Sequence, residues 1–153
     1  MDAVAVCFEP FDSAAATALL AELDADLDAR YGGGEGVHAH PLEFAPPAGG
    51  FAVLYLAGEP MACGGFRRVD ATTAELKRMY VRPAGRRRGH GRRLLRALEE
   101  AAAGAGYTDL WLETGVPQPE AISLYETAGY TRMPPFGQFA GSPQQRCYGK
   151  SLA

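Results

Sequence analysis

The chain of 153 residues holds only three cysteines, three histidines and one tryptophan, and its first sixty residues contain a single basic side chain, Arg30. Cys7, Cys63 and Cys147 are odd in number, far apart and without C-x-x-C spacing, which argues against a disulfide framework or a zinc ribbon. They read as reduced structural thiols. His38 and His40 lie two apart beside Glu35 and Glu43, but with one further histidine in the chain a solvent-facing loop is expected and no metal site. No run approaches the roughly 20 apolar residues of a membrane helix. The N-terminus carries Asp2 and Glu9 without a basic flank, unlike a secretory signal. No membrane partner is expected, and a cytoplasmic location is.

What the chain does have is enough apolar content, 47%, for one packed core, so a single domain over residues 1–153 is expected. Its net charge of −3 hides a segregation. Residues 1–60 hold ten acidic side chains against Arg30, whereas residues 61–100 hold eleven basic against four acidic. An acidic first third would repel a long nucleic acid, so the basic segment points to a small anionic ligand instead.

Hydrophobic patterning outlines the elements. Residues 4–8 read as a strand, and Asp12 or Ser13 is a plausible cap for a helix carrying Leu20, Leu23 and Leu27 on one face. Residues 31–50 read as a long loop. Strands are expected at 51–57, 61–69 and 74–81, joined as a meander by short turns. A helix follows from Arg92 to Ala103, a strand from Asp109 to Thr114, and a helix opened by Pro119 that stops at Gly129. Residues 130–133 and 146–152 read as a closing pair. The strand, helix and strand between 74 and 114 form a βαβ unit, which makes the two strands parallel neighbours.

Between that first strand and the helix stands Arg86-Arg87-Arg88-Gly89-His90-Gly91. A strand that turns through glycines into a helix aims unpaired backbone N–H groups and the positive end of the helix dipole at one point, a ready phosphate site. A Walker A loop would need a lysine and a hydroxyl after its last glycine, and a dinucleotide fingerprint would need a third glycine where Leu94 stands. Both fail.

The pattern [QR]-x-x-G-x-[GA] from Arg86 to Gly91 does fit, and it resembles the cofactor motif of the GNAT superfamily of acyl-CoA-dependent N-acyltransferases. Met79-Tyr80-Val81-Arg82-Pro83 resembles that family's L-x-V-x-P lead-in, and residues 121–130, AISLYETAGY, resemble its A-x-x-L-Y-E-x-x-G-[FY] helix. The resemblance covers roughly residues 51–150. It implies an α/β fold, α+β in some schemes: a mixed, mostly antiparallel sheet of six to seven strands with a central parallel pair and helices on both faces.

The resemblance also implies roles. The pyrophosphate of acetyl-CoA would rest on the stretch Arg86, Arg87, Arg88, Gly89, His90, Gly91 and Arg92, and the pantetheine arm would run against the main chain of Met79, Tyr80 and Val81. Arg87 departs from the many relatives with glycine there, and His90 is expected to face solvent. Gln118 stands where the family often has an asparagine touching the cofactor. An amine attacking a thioester arrives mostly protonated, given reference pKa values of about 10.4 for lysine and about 8 for an α-amino group, so a base is useful. Glu75, fourteen residues before Gly89, resembles the base of the histone-modifying branch, and Glu113 at the end of the parallel strand is the other candidate. Tyr125 stands where the family commonly has a general acid. The implied activity is acetyl transfer from acetyl-CoA to a primary amine by direct attack in a ternary complex. The acceptor is expected to be a small-molecule amine, or alternatively a protein amine, with Pro134 to Pro143 forming part of its wall. The oligomeric state stays open, a homodimer being common among such proteins. The alternative is an inactive module that binds acyl-CoA or CoA as a sensor or partner subunit.

Overall fold

A computed structural model of the chain describes residues 3–33 and 40–152. The expectation for His38 therefore lies outside the described residues. Seven strands form one sheet: β1 (Val4–Phe8), β2 (Gly50–Leu56), β3 (Glu59–Arg68), β4 (Thr73–Val81), β5 (Asp109–Gly115), β6 (Thr131–Arg132) and β7 (Gln145–Ser151). Their order is β1-β2-β3-β4-β5-β7-β6, and every neighbouring pair is antiparallel except β4 with β5. This is the expected mixed sheet with its central parallel pair.

Three helices cover it. α1 (Ala14–Tyr31) begins at Ser13, whose hydroxyl accepts the Ala16 N–H at 3.2 Å, and ends at Gly32 in the left-handed region. It packs on one face, where Leu19, Leu20 and Leu23 meet Phe51, Val53, Cys63 and Tyr80. On the other face α2 (His90–Gly104) lays Leu94, Leu95 and Leu98 against Ala52, Leu54 and Leu76, and α3 (Pro119–Thr127) brings Tyr125 into the same cluster. Odd residues of β2 thus face α1 and even residues face α2, as a strand buried on both sides requires. The segment expected as a featureless loop contains a short 3-10 helix, Pro41–Phe44. Exposed His40 caps it by accepting the Leu42 N–H at 3.2 Å.

The charge segregation of the sequence resolves on folding. Acidic α1 lies against basic β4 and the turn after it, so that Arg82 holds Glu22 at 2.7 Å and Arg78 holds Asp24 at 2.5 Å. The Arg82 hydrogen bond keeps the Glu22 carboxyl below its ordinary range.

Candidate active site

β4 and β5 pair only from Thr73 opposite Asp109 to Leu76 opposite Leu112. Beyond that point a bulge bends β4: Cys63 faces Tyr80 and Gly65 faces Lys77, so Arg78 and Met79 together oppose Gly64. Arg78 adopts φ 63°, a left-handed conformation that costs an L-residue about 1–2 kcal/mol. Gly64 lets the Met79 side chain lie across it, since a Cβ at 64 would fall 2.3 Å from the Met79 sulfur. The last five residues of β4 therefore have no strand beside them on the β5 side, a main-chain edge of the kind that receives an extended ligand.

A cavity of about 370 Å³ opens at this seam. Asp24 and Asp28 of α1, Tyr125 of α3, and Lys77, Glu113 and Gln145 of the sheet line it. Lys77 is 8% exposed at its side chain and bridges two buried carboxylates, Glu113 at 2.6 Å and Glu75 at 3.2 Å. Arg67 adds a contact to Glu75 at 3.3 Å, and the Gln145 amide N–H donates to Glu113. Paired in this way, the three ions avoid the several kcal/mol that an isolated buried charge would cost. Tyr125 is buried, edge-to-face with Tyr130 at 5.8 Å, and burial raises its pKa well above the phenol's ordinary value. Its hydroxyl stays protonated at neutral pH and can donate.

At the far end of the seam lies the cradle. Its turn places two residues in the left-handed region, Arg87 at φ 63° and Gly89 at φ 80°, and Gly89 precedes α2 as its cap. Glycine at 89 carries that conformation without strain. The backbone N–H groups of residues 87–92 donate to no backbone carbonyl among the described residues, and Arg87, Arg88 and Gly89 are exposed. A set of free amides at a helix start, flanked by guanidinium groups, suits a phosphate.

Several expected contacts differ in detail. Glu75 is not among the residues lining the cavity, its carboxylate being held between Arg67 and Lys77; of the two candidate bases it is Glu113 that lines it. His90 does not face solvent. It is 8% exposed as the first residue of α2, beginning the helix two residues earlier than expected, and its Nε2 has no hydrogen-bond partner. Arg92 turns from the cradle to the end of α3, donating to the Thr127 carbonyl at 2.6 Å. Arg86 lies across the Tyr80 ring at 5.9 Å and donates from Nε to the Val81 carbonyl at 2.9 Å, fastening the turn to the strand it leaves. Tyr80 itself is packed under α1, with its hydroxyl 3.3 Å from Glu22. Gln118 lines the cavity and donates to the Tyr31 hydroxyl at 2.9 Å. A Cβ at Gly91 would meet Leu124 at 3.4 Å and Val81 at 3.5 Å, so that glycine faces inward, toward β4 and α3. In the sequence Lys77 and Arg78 stand out only as alternative ion-pair partners of Glu75, and the structure makes the pair with Lys77; Gln145 is a lining residue that the sequence did not single out.

Among the described residues no helix is long and apolar enough to cross a membrane, and no group of three or more histidine, cysteine, aspartate or glutamate side chains could hold a metal ion. Residues 17–130 match the family described as the acetyltransferase (GNAT) family. In sequence the chain is similar to the IAA acetyltransferase of Azospirillum brasilense, 37% identical over 127 residues that cover 82% of each protein. In structure it is similar to a candidate acyl-CoA N-acyltransferase of Klebsiella pneumoniae, with a TM-score of 0.85 and 27% identity over 98% of both chains. It shares its fold, at a TM-score of 0.71 and 15% identity over 99% of both chains, with a GNAT family acetyltransferase of Elizabethkingia anophelis with acetyl-CoA bound. The seam between the parallel strands, the amide cradle and a family match over most of the chain lead to one assignment: the protein is an acyltransferase and belongs to the acetyltransferase (GNAT) family.

Proposed function

We propose that the protein transfers the acetyl group of acetyl-CoA to a primary amine by direct attack in a ternary complex. The observation that carries this reading is the broken β4–β5 ladder, which opens onto a cavity walled by Lys77, Glu113 and Tyr125. In this reading the free amides of the cradle and the side chains of Arg87 and Arg88 bind the pyrophosphate, while the unpaired edge of β4 around Met79 to Val81 receives the pantetheine arm. The acceptor nitrogen forms a bond to the thioester carbonyl carbon as the carbon–sulfur bond breaks. Glu113, directly or through a water, takes the proton that the amine must lose. Tyr125 gives its proton, or a hydrogen bond, to the departing thiolate. Glu75 holds Lys77, and through it orients Glu113.

Direct attack is supported by the state of the buried thiols. Burial raises Cys63 to about 12 and also raises Cys147, so neither is a ready nucleophile.

The test separates binding from turnover. Titration calorimetry with acetyl-CoA, and thiol release over a panel of amines, are run on the native protein and on Tyr125→Phe. The reading expects unchanged acetyl-CoA affinity and a rate lowered by about 10² to 10⁴ in the variant. Equal rates overturn the acid role of Tyr125. Acetyl-CoA binding without thiol release from any amine replaces the transferase by a binding module.

A further inference from the structure

Among the described residues, three of the four buried side-chain polar atoms without a hydrogen-bond partner belong to residues that line the cavity: Arg78 Nε, Thr114 Oγ1 and Gln145 Oε1. Unpaired groups of this kind cost about 1–3 kcal/mol each, and more when charged, so a ligand that seats against these residues and meets them is favoured. Their chemistry differs. Arg78 can only donate and carries full positive charge, so the partner it lacks is an acceptor, best of all an anion. Its side chain is 8% exposed, on a residue held at φ 63° by the bulge. The amide of Gln145 is oriented by two bonds, from its Nε2 to Glu113 and to the Phe136 carbonyl at 2.8 Å. Its bare Oε1 therefore needs a donor, next to the carboxylate that faces the cavity.

Among the described residues the one ionic partner of Arg78 is a weak competitor. Asp24, 62% exposed at its side chain, touches Nη2 with one oxygen at 2.5 Å and leaves Nε unmet. A carboxylate spanning Nε and Nη2 would instead make the parallel pair of bonds that a guanidinium favours. The wall carries charges of both signs, Asp24, Asp28 and Glu113 against Lys77 and Arg78, so it suits an acceptor that brings a carboxylate as well as an amine.

We propose that the acceptor is an amino acid or related amine bearing a carboxylate, which Arg78 binds while Gln145 Oε1 and Glu113 hold the amine. This rests on the transferase reading above and names the substrate class of that same site. Arg78 is then a specificity residue, and the acid segregation of α1 serves to hold it in place until the acceptor arrives.

The experiment pairs each L-amino acid with its carboxamide as acceptor and follows thiol release from acetyl-CoA. The native protein is expected to favour the acids in kcat/KM by about 10²-fold, the scale of losing one partner of a desolvated charged pair. Arg78→Gln is expected to collapse that preference through KM for the acids, with acetyl-CoA affinity retained. Asp24→Asn, at an exposed position that spares the fold, removes the competitor and is expected to lower KM for the acids several-fold. Equal turnover within each pair, or an Arg78→Gln loss that is the same for acids and amides, overturns the inference and leaves the transferase standing. A protein that binds no acetyl-CoA, or binds it and acetylates no amine, overturns the transferase reading and this one with it.

Discussion

The two halves of β4 obey opposite rules. From Thr73 to Leu76 the strand is paired on both edges, and its one buried carboxylate, Glu75, is fully engaged by Arg67 and Lys77. From Lys77 to Val81 it is bulged, strained at Arg78 and open toward β5, and three of the four unpartnered buried polar atoms among the described residues belong to residues lining the cavity there, Arg78, Thr114 and Gln145. The first half shows what a satisfied strand does with charge, which is to neutralise it. The second shows that a broken ladder places unmet donors and acceptors around a cavity, where a ligand can meet them. Lys77 stands at the junction, with one carboxylate from each side.

The sharpest way to break the comparison is to remove that junction. Lys77→Met would leave Glu75 and Glu113 buried without their shared cation, and stability is expected to fall by about 3–5 kcal/mol in urea denaturation. A loss below about 1 kcal/mol would mean that water already solvates the pair. A kinetic version separates the two carboxylates. Glu113→Gln is expected to lower kcat by about 10² or more, whereas Glu75→Gln, one ion pair removed from the cavity, is expected to act less and mainly through stability. The reverse order would return the base to Glu75.

The seam also leaves a mark on pH dependence. Burial is the largest cause of the raised pKa values of Tyr125 and Tyr130, with Glu99 contributing at Tyr130. A folded pKa above the unfolded value of 10.0 means stability that is whole below pH 10 and is lost as pH rises beyond it. The slope is about 1.4 kcal/mol per pH unit for each tyrosine that titrates only on unfolding. Alkaline melting of Tyr125→Phe should therefore be shallower than that of the native chain, and parallel curves would show that the hydroxyl is reached by water in the folded state.

Much of this was legible from residue order. Ser13 and Pro119 mark helix starts by chemistry that acts over one turn, and the βαβ unit follows from strand, glycine turn and helix in succession. The bulge was not. Residues 74–81 read as one even strand, because a bulge is defined by the count on the partner strand, here Gly64 against Arg78 and Met79. Nor was the division of labour between Glu75 and Glu113, since the lysine that joins them pairs across 36 residues of chain. His90 misled for a local reason: Gly89 turns the chain early enough that the helix starts with His90 and carries its ring inward. Arg92 misled for a distant one, the carbonyls at the end of α3.

Arg87 supplies the smallest effect and the most direct test of the cradle. The departure from glycine visible in the sequence now has a backbone reason, φ 63°, where relatives with glycine would carry no strain. Relief of about 1–2 kcal/mol of left-handed strain is offset in part by the greater freedom of an unfolded glycine, roughly 0.5–1 kcal/mol, so Arg87→Gly is expected to gain about 0.5–1 kcal/mol in stability. The same change removes one exposed cation beside the free amides. Acetyl-CoA should then bind several-fold more weakly at low salt, with the difference fading as ionic strength rises, because an exposed charge is screened while the amides are not. A variant that is more stable yet binds acetyl-CoA equally at every salt would show that the guanidinium points away from the phosphates and that the backbone alone forms the cradle.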